Sequence, residues 1–260
     1  MDLQLNGKTA LITGGSKGIG LATAKTFAAE GVSLHLASRD AGNLKSAKSE
    51  IQSEFEVEVT TYSMDLGKTE AIEELASTCG DVDILVNNAG AIAAGTIAAI
   101  DEKTWRHGWD LKVFGYINLS RIIFANMTKR GSGVIVNVCG TAGNQHASDH
   151  LPATTANAAL ITLTRAMGGT SLNHGVRVVG INPGDCLNER GMMFLRRYAE
   201  KNFGDAERWE EILKDLPGGK AGTSDDMANT IVFLSSERAR YISGEVLTID
   251  GGVSAGRAVI

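Results

Sequence analysis

Short apolar runs alternate with amphipathic stretches along almost the whole chain, and this alternation constrains the fold more than any other feature. The runs lie at residues 9–12, 32–37, 57–62, 84–86, 134–138, 176–181 and 246–249. The runs are rich in residues that favour strands. Between them fall helical patterns, the first over residues 19–30 and the next, more polar, over about 43–55. Strands separated by helices predict right-handed crossovers and a parallel sheet of the α/β class, covered on both sides.

The chain has 260 residues, enough for one large α/β domain with a substantial core. Pro152, Pro183 and Pro217 are its only prolines, and no low-complexity linker or repeat divides it. A single domain over residues 1–260 is therefore expected. The segment 188–219 breaks the rhythm, setting Met192, Met193, Phe194, Leu195, Tyr198, Phe203 and Trp209 among many charges. Its place near the C-terminal edge of the sheet suits a substrate lid, or else a helical hairpin that only covers the core.

Composition removes several classes of function. A net charge of −5 lacks the cationic excess of a nucleic-acid binder. No apolar run approaches the roughly 20 residues that span a bilayer, so no membrane association is expected. Residues 1–7 have neither the basic start nor the apolar core of a signal peptide. Cys79, Cys139 and Cys186 are odd in number and far apart, which suits neither a disulfide framework nor a metal site. A reduced, cytoplasmic protein is expected.

The turn Thr13-Gly14-Gly15-Ser16-Lys17-Gly18-Ile19-Gly20 lies between the first strand and the first helix. In this setting Gly14 makes the bend, Gly18 admits a close backbone approach, and Gly20 lets the helix pack on the strand. The amides at the helix start then face a diphosphate. At the tip of the second strand stand Ser38, Arg39 and Asp40. An acid there would bind the ribose hydroxyl of NAD, whereas a cation accommodates the extra phosphate of NADP. Lys17 and Arg39 favour NADP(H), while Asp40 keeps NAD(H) open. Asn87-Asn88-Ala89-Gly90 after the fourth strand would let the cofactor lie against the backbone, with Asp65 and Leu66 nearer the adenine.

These motifs, with Asn182-Pro183-Gly184, Ser243-Gly244 and Asp250-Gly251-Gly252, make the chain resemble the short-chain dehydrogenase/reductase family over essentially its whole length. The resemblance implies a single Rossmann-like domain with a doubly wound parallel sheet, a nicotinamide cofactor, a small carbonyl or alcohol substrate, and a homodimer or homotetramer. It assigns Pro183, Gly184 and Asn188 to the nicotinamide end. It also implies a catalytic Ser, Tyr and Lys with an assisting Asn, and here this sequence departs from the pattern. The Ser position holds Gly140, the Tyr position Ala153, the Lys position Asn157 and the Asn position Lys112.

Lys and Asn have thus exchanged places between two helices. If those helices pack as the resemblance implies, Lys112 delivers an ammonium to the site and Asn157 binds the ribose; otherwise Lys112 points to solvent. The missing phenol leaves His146 and His150, beside Asp149, as candidate acids or bases. Both equally suit a solvated loop. Three readings follow: an oxidoreductase with a displaced proton donor, an inactive dinucleotide-binding scaffold, or a non-redox lyase or dehalogenase-like enzyme. The first is favoured, because the cofactor turn is intact.

Overall fold

A computed structural model describes residues 1–256. Seven strands form one sheet: β1 (Thr9–Thr13), β2 (Ser33–Ser38), β3 (Val59–Ser63), β4 (Ile84–Asn87), β5 (Gly133–Val138), β6 (Val176–Pro183) and β7 (Val246–Ile249). Their order is β3-β2-β1-β4-β5-β6-β7, and every neighbouring pair is parallel. The helices are α1 (Gly18–Ala29), α2 (Ala41–Glu54), α3 (Thr69–Thr78), α4 (Glu102–Trp109), α5 (Gly115–Arg130), α6 (Ala142–Gln145), α7 (Leu151–Ser171), α8 (Glu189–Phe203), α9 (Trp209–Leu213), α10 (Ser224–Ser235) and α11 (Val253–Gly256).

Successive residues of the central strands enter different cores. Ile12, Val86, Val136 and Val179 pack with Phe27 of α1, Ile51 of α2 and Ile231 of α10 on one face. Their chain neighbours Leu11, Leu85, Ile135 and Val178 pack with Leu75 of α3 and Ile123 of α5 on the other. This doubly covered sheet is the α/β architecture expected from the sequence, and no described helix is long and apolar enough to cross a membrane.

Boundaries differ from expectation where local hydrogen bonds take over. Helix α2 starts at Ala41, before the apolar pattern does, because the Asp40 carboxylate caps it by accepting from the Asn43 N–H at 2.8 Å. Strand β3 starts at Val59, not at residue 57, because the Val57 N–H is held in a turn by the Phe55 carbonyl.

Strand order reverses direction between β1 and β4, so the helices that follow these two strands leave on opposite faces and a crevice opens above their C-terminal ends. Thr13 and Asn88 fix its floor. The Thr13 hydroxyl accepts from the Asn88 and Ala89 N–H groups at 2.9 and 3.0 Å, while the Asn88 amide donates to the Thr13 and Gly14 carbonyls. Helices α4 and α5 are joined by a five-residue π-helical segment, Asp110–Phe114, which carries Lys112. Wide turns of this kind recur at functional sites.

Candidate active site

The crevice is a cleft of about 610 Å³ over the ends of β1, β4, β5 and β6. At one end it is lined by Gly14, Lys17, Gly18 and Ile19 of the glycine turn, facing Asn88, Ala89 and Gly90. Close packing builds this end. A Cβ on Gly20 would collide with the Gly14 carbonyl oxygen and crowd the Asn88 amide, so the first turn of α1 can sit this near β1 only without a side chain there. The open helix start left above the turn fits a diphosphate.

The tip of β2 is arranged for a polar group. Ser16 Oγ donates to Ser38 Oγ at 3.0 Å, and Arg39 is exposed beside them. Asp40, the residue that kept NAD(H) open, has one carboxylate oxygen committed to the cap of α2. Lys17 does not join Arg39. Its ammonium pairs with Glu189 at 3.2 Å, on the first turn of α8.

Three cofactor assignments take different roles in the structure. Leu66 buries its side chain in the core beneath α3, which leaves only its backbone to face a ligand. Asp65 accepts from the Gly67 N–H at 3.1 Å and so shapes its own turn. Asn188 lines the cleft, but its Oδ1 accepts from the Gly191 N–H as the cap of α8 and its Nδ2 lies 3.2 Å from Cys186 Sγ. Pro183 and Gly184 line the opposite wall.

At the other end of the cleft, near the exit of β5, Lys112 lines the wall and Asn157 lies buried against Gly140. Lys112 Nζ donates to the Cys139 carbonyl at 2.9 Å. Its aliphatic stem passes Gly90, where an added Cβ would lie 3.0 Å from Lys112 Cδ. Burial lowers the Lys112 pKa from 10.5 to about 8, and the neighbouring Arg190 guanidinium pushes the same way. Burial raises the Cys139 thiol to about 11, so it stays neutral beside the amine.

Asn157 is 5% exposed and sits against Gly140. Gly140 has φ +154°, and a Cβ there would lie 3.0 Å from Asn157 Nδ2. The Asn157 amide therefore occupies the space that a side chain at Gly140 would need. Its Oδ1 is buried and has no hydrogen-bond partner within the protein. A buried acceptor without a partner fits a hydroxyl brought by a ligand, such as that of the nicotinamide ribose. The glycine cradle and this acceptor together fit a dinucleotide along the cleft.

Neither histidine lines the cleft. His146 is exposed and ends α6 in the left-handed conformation, with φ 54°. His150 Nδ1 lies 3.1 Å from Asp149 Oδ1, and its ring packs beside Phe194 and Tyr198 of α8, with centroids 6.1 and 6.3 Å away. That packing places His150 beside α8, next to Phe194 of the cleft wall, rather than in the cleft lining itself. Tyr116 is buried, donates to the Val138 carbonyl at 3.2 Å and has its pKa raised further by burial, so it is a core residue. The sequence reading also missed Arg190, whose Nη1 donates to the Gly90 carbonyl at 2.6 Å. It lies among many charges in the insertion, and no spacing marks it out.

Comparison with known proteins agrees with this geometry. The family model described as short chain dehydrogenase matches residues 8–194. A 2-dehydro-3-deoxy-D-gluconate 5-dehydrogenase of Bacillus subtilis is 32% identical over 253 residues, covering 95% of each chain. A gluconate 5-dehydrogenase of Gluconobacter oxydans is 30% identical over 96% of each. Among solved structures, L-sorbose reductase from Gluconobacter frateurii, complexed with NADPH and L-sorbose, is 31% identical and superposes with a TM-score of 0.91, over 98% of this chain and 99% of that one. The chain belongs to the short-chain dehydrogenase family and is an NAD(P)-dependent oxidoreductase of that type.

Proposed function

We propose that the protein moves a hydride between NADP(H) and a carbonyl or secondary alcohol carbon of a small polyhydroxylated substrate, with Lys112 as the proton donor and acceptor. The observation that carries this reading is the Lys112 ammonium bonded to the Cys139 carbonyl at the exit of β5, next in the chain to Gly140, in a protein whose positions 140 and 153 hold Gly and Ala and offer no hydroxyl. When bound, the nicotinamide supplies or accepts the hydride.

Lys112 provides the other half of the reaction. At neutral pH its amine is protonated, and a pKa near 8 makes it a competent acid for a developing alkoxide. In the reverse direction the neutral amine takes the proton from an alcohol. The Cys139 carbonyl accepts one of its N–H groups and so orients the remaining two. Asn157 offers its free Oδ1 to the ribose. The family's Ser, Tyr and Lys are thereby replaced by a two-residue arrangement in which Lys and Asn have changed walls.

The preference for NADP(H) is supported by exposed Arg39 beside the Ser16–Ser38 pair, and by the commitment of Asp40 to its helix cap. The relatives act on sugar acids and the solved neighbour holds NADPH with a ketose, which supports a polyhydroxylated substrate. The insertion 188–219 serves as the lid, since Phe194 and Met193 of α8 line the cleft. Exposed Ile97 and Phe114, next to Trp105 and Trp109, favour burial against a second copy in a homodimer or homotetramer. The buried free thiols fit a reducing, cytoplasmic setting.

Titration with NADPH and with NADH, followed by nicotinamide fluorescence, tests the cofactor assignment. NADPH is expected to bind at least about tenfold more tightly, and Arg39→Ala to bring the ratio close to one. Equal affinity in the unaltered protein, or tighter NADH, would overturn it.

A further inference from the structure

Two cations converge on Gly90 from different elements. Lys112 runs past its Cα from the π-helical segment, and Arg190 donates to its carbonyl from the first turn of α8. They lie close enough for the charge of each to matter to the other, since Arg190 helps lower the Lys112 pKa. Among the described residues neither forms an ion pair with a carboxylate.

The remaining charges of the cleft do not compensate them. Glu189 is engaged by Lys17 at the glycine turn. Asp185, on the far wall after β6, forms no ion pair with either cation. Two like charges held close together disfavour each other's charged form, and a cluster of this kind at the mouth of a cleft is a candidate ligand site. Both residues keep unused donors. Lys112 has two N–H groups beyond its bond to Cys139, and the planar fork of Arg190 has one edge spare while its face lies 5.8 Å from the Phe194 ring centroid.

We propose that Lys112 and Arg190 form an anion subsite at the substrate end of the cleft, which takes the carboxylate of a polyhydroxy keto acid or hydroxy acid. This rests on the oxidoreductase reading of the same cleft and deepens it by naming the substrate class. The fork of Arg190 suits a planar carboxylate in two-point contact. Lys112 then serves two ends of one substrate, attracting the anion and donating to the reacting oxygen. Arg190 sits on the lid helix, so an anionic substrate also ties α8 to the body of the cleft.

The test is calorimetric titration of the purified protein, free and loaded with NADPH, with gluconate and with the uncharged polyol sorbitol. Gluconate is expected to bind at least tenfold more tightly than sorbitol. Arg190→Met should abolish that preference, whereas Arg190→Lys, which keeps the charge but not the fork, should retain part of it. NADPH affinity of both variants should stay within twofold of the parent. Equal binding of the two polyols, or an undiminished gluconate preference in Arg190→Met, would overturn the subsite. A parallel fall in NADPH affinity would overturn it as well, by assigning Arg190 to a cofactor phosphate. If NADPH fails to bind at all, the cofactor reading falls, and the titrations of the free protein still decide the subsite.

Discussion

Lys112 sits where the fold would be more stable without it. Its pKa in the folded protein is about 8, against 10.5 for an ordinary lysine, so between these values the folded state holds fewer protons than the unfolded chain. Stability therefore rises with pH through that window and is lower below it. Every tenfold loss of proton affinity corresponds to about 1.4 kcal/mol. Partial access to the cleft reduces the penalty, and the bond to the Cys139 carbonyl offsets roughly 1 kcal/mol of it. Lys112→Met is thus expected to raise stability at pH 7 by about 1–2 kcal/mol, a few degrees in Tm, while removing turnover. A thermal melt that falls instead would show that the ammonium stabilises the fold. The exchange of Lys and Asn was legible in the sequence because the flanking motifs fix the register of both helices. The role of Arg190 was not, since its value lies in a contact with Gly90 a hundred positions away. For His150 the sequence showed the adjacent Asp149 but not the packing against Phe194 and Tyr198 of α8, which comes from elsewhere in the chain.

At the scale of elements, the insertion is the part that the sequence marked but did not explain. Its apolar residues set among many charges marked it out, without locating its helices. What pins it is backbone: Cys186 and Gly222 pair as a short parallel bridge, with the Leu187 N–H donating to Gly222 at 2.8 Å and the Gly222 N–H to Asp185 at 3.0 Å. This closed stem anchors the base of the insertion. One of its contacts with the body is the exposed pair Lys17–Glu189. A diphosphate at the glycine turn would compete with Glu189 for Lys17 and be repelled by it. Glu189→Gln is therefore expected to tighten NADPH binding about two- to fivefold, the range of an exposed ion pair. Weaker binding in that variant would mean that the pair assists closure over the cofactor. The π-helical segment was illegible, because Asp110-Leu111-Lys112-Val113-Phe114 contains no residue that breaks an α-helix, and only packing decides the wider turn.

For the whole molecule, the sheet and its two cores could be read almost completely from the chain. Strands that are apolar on both faces admit few arrangements, and the right-handed crossover rule selects among them. Strand order then places Gly14, Asn88, Val138 and Pro183 around one crevice whatever the side chains do. The chemistry within it depends on side chains from the π-helical segment, α7 and α8, which no strand pattern positions. The proposed role of Lys112 as proton donor links that frame to the reaction, and its titration is measurable. The decisive experiment is the pH dependence of kcat/KM for NADPH-linked reduction of 5-ketogluconate by the parent protein and Lys112→Met. The expected profile is flat below about pH 8 and falls about tenfold per pH unit above it, as the ammonium of the free enzyme is lost. Lys112→Met should be slower by about a hundredfold or more while binding NADPH within about twofold of the parent. A variant that reduces the substrate at the parental rate, or a parent profile without a break near pH 8, would contradict the assignment.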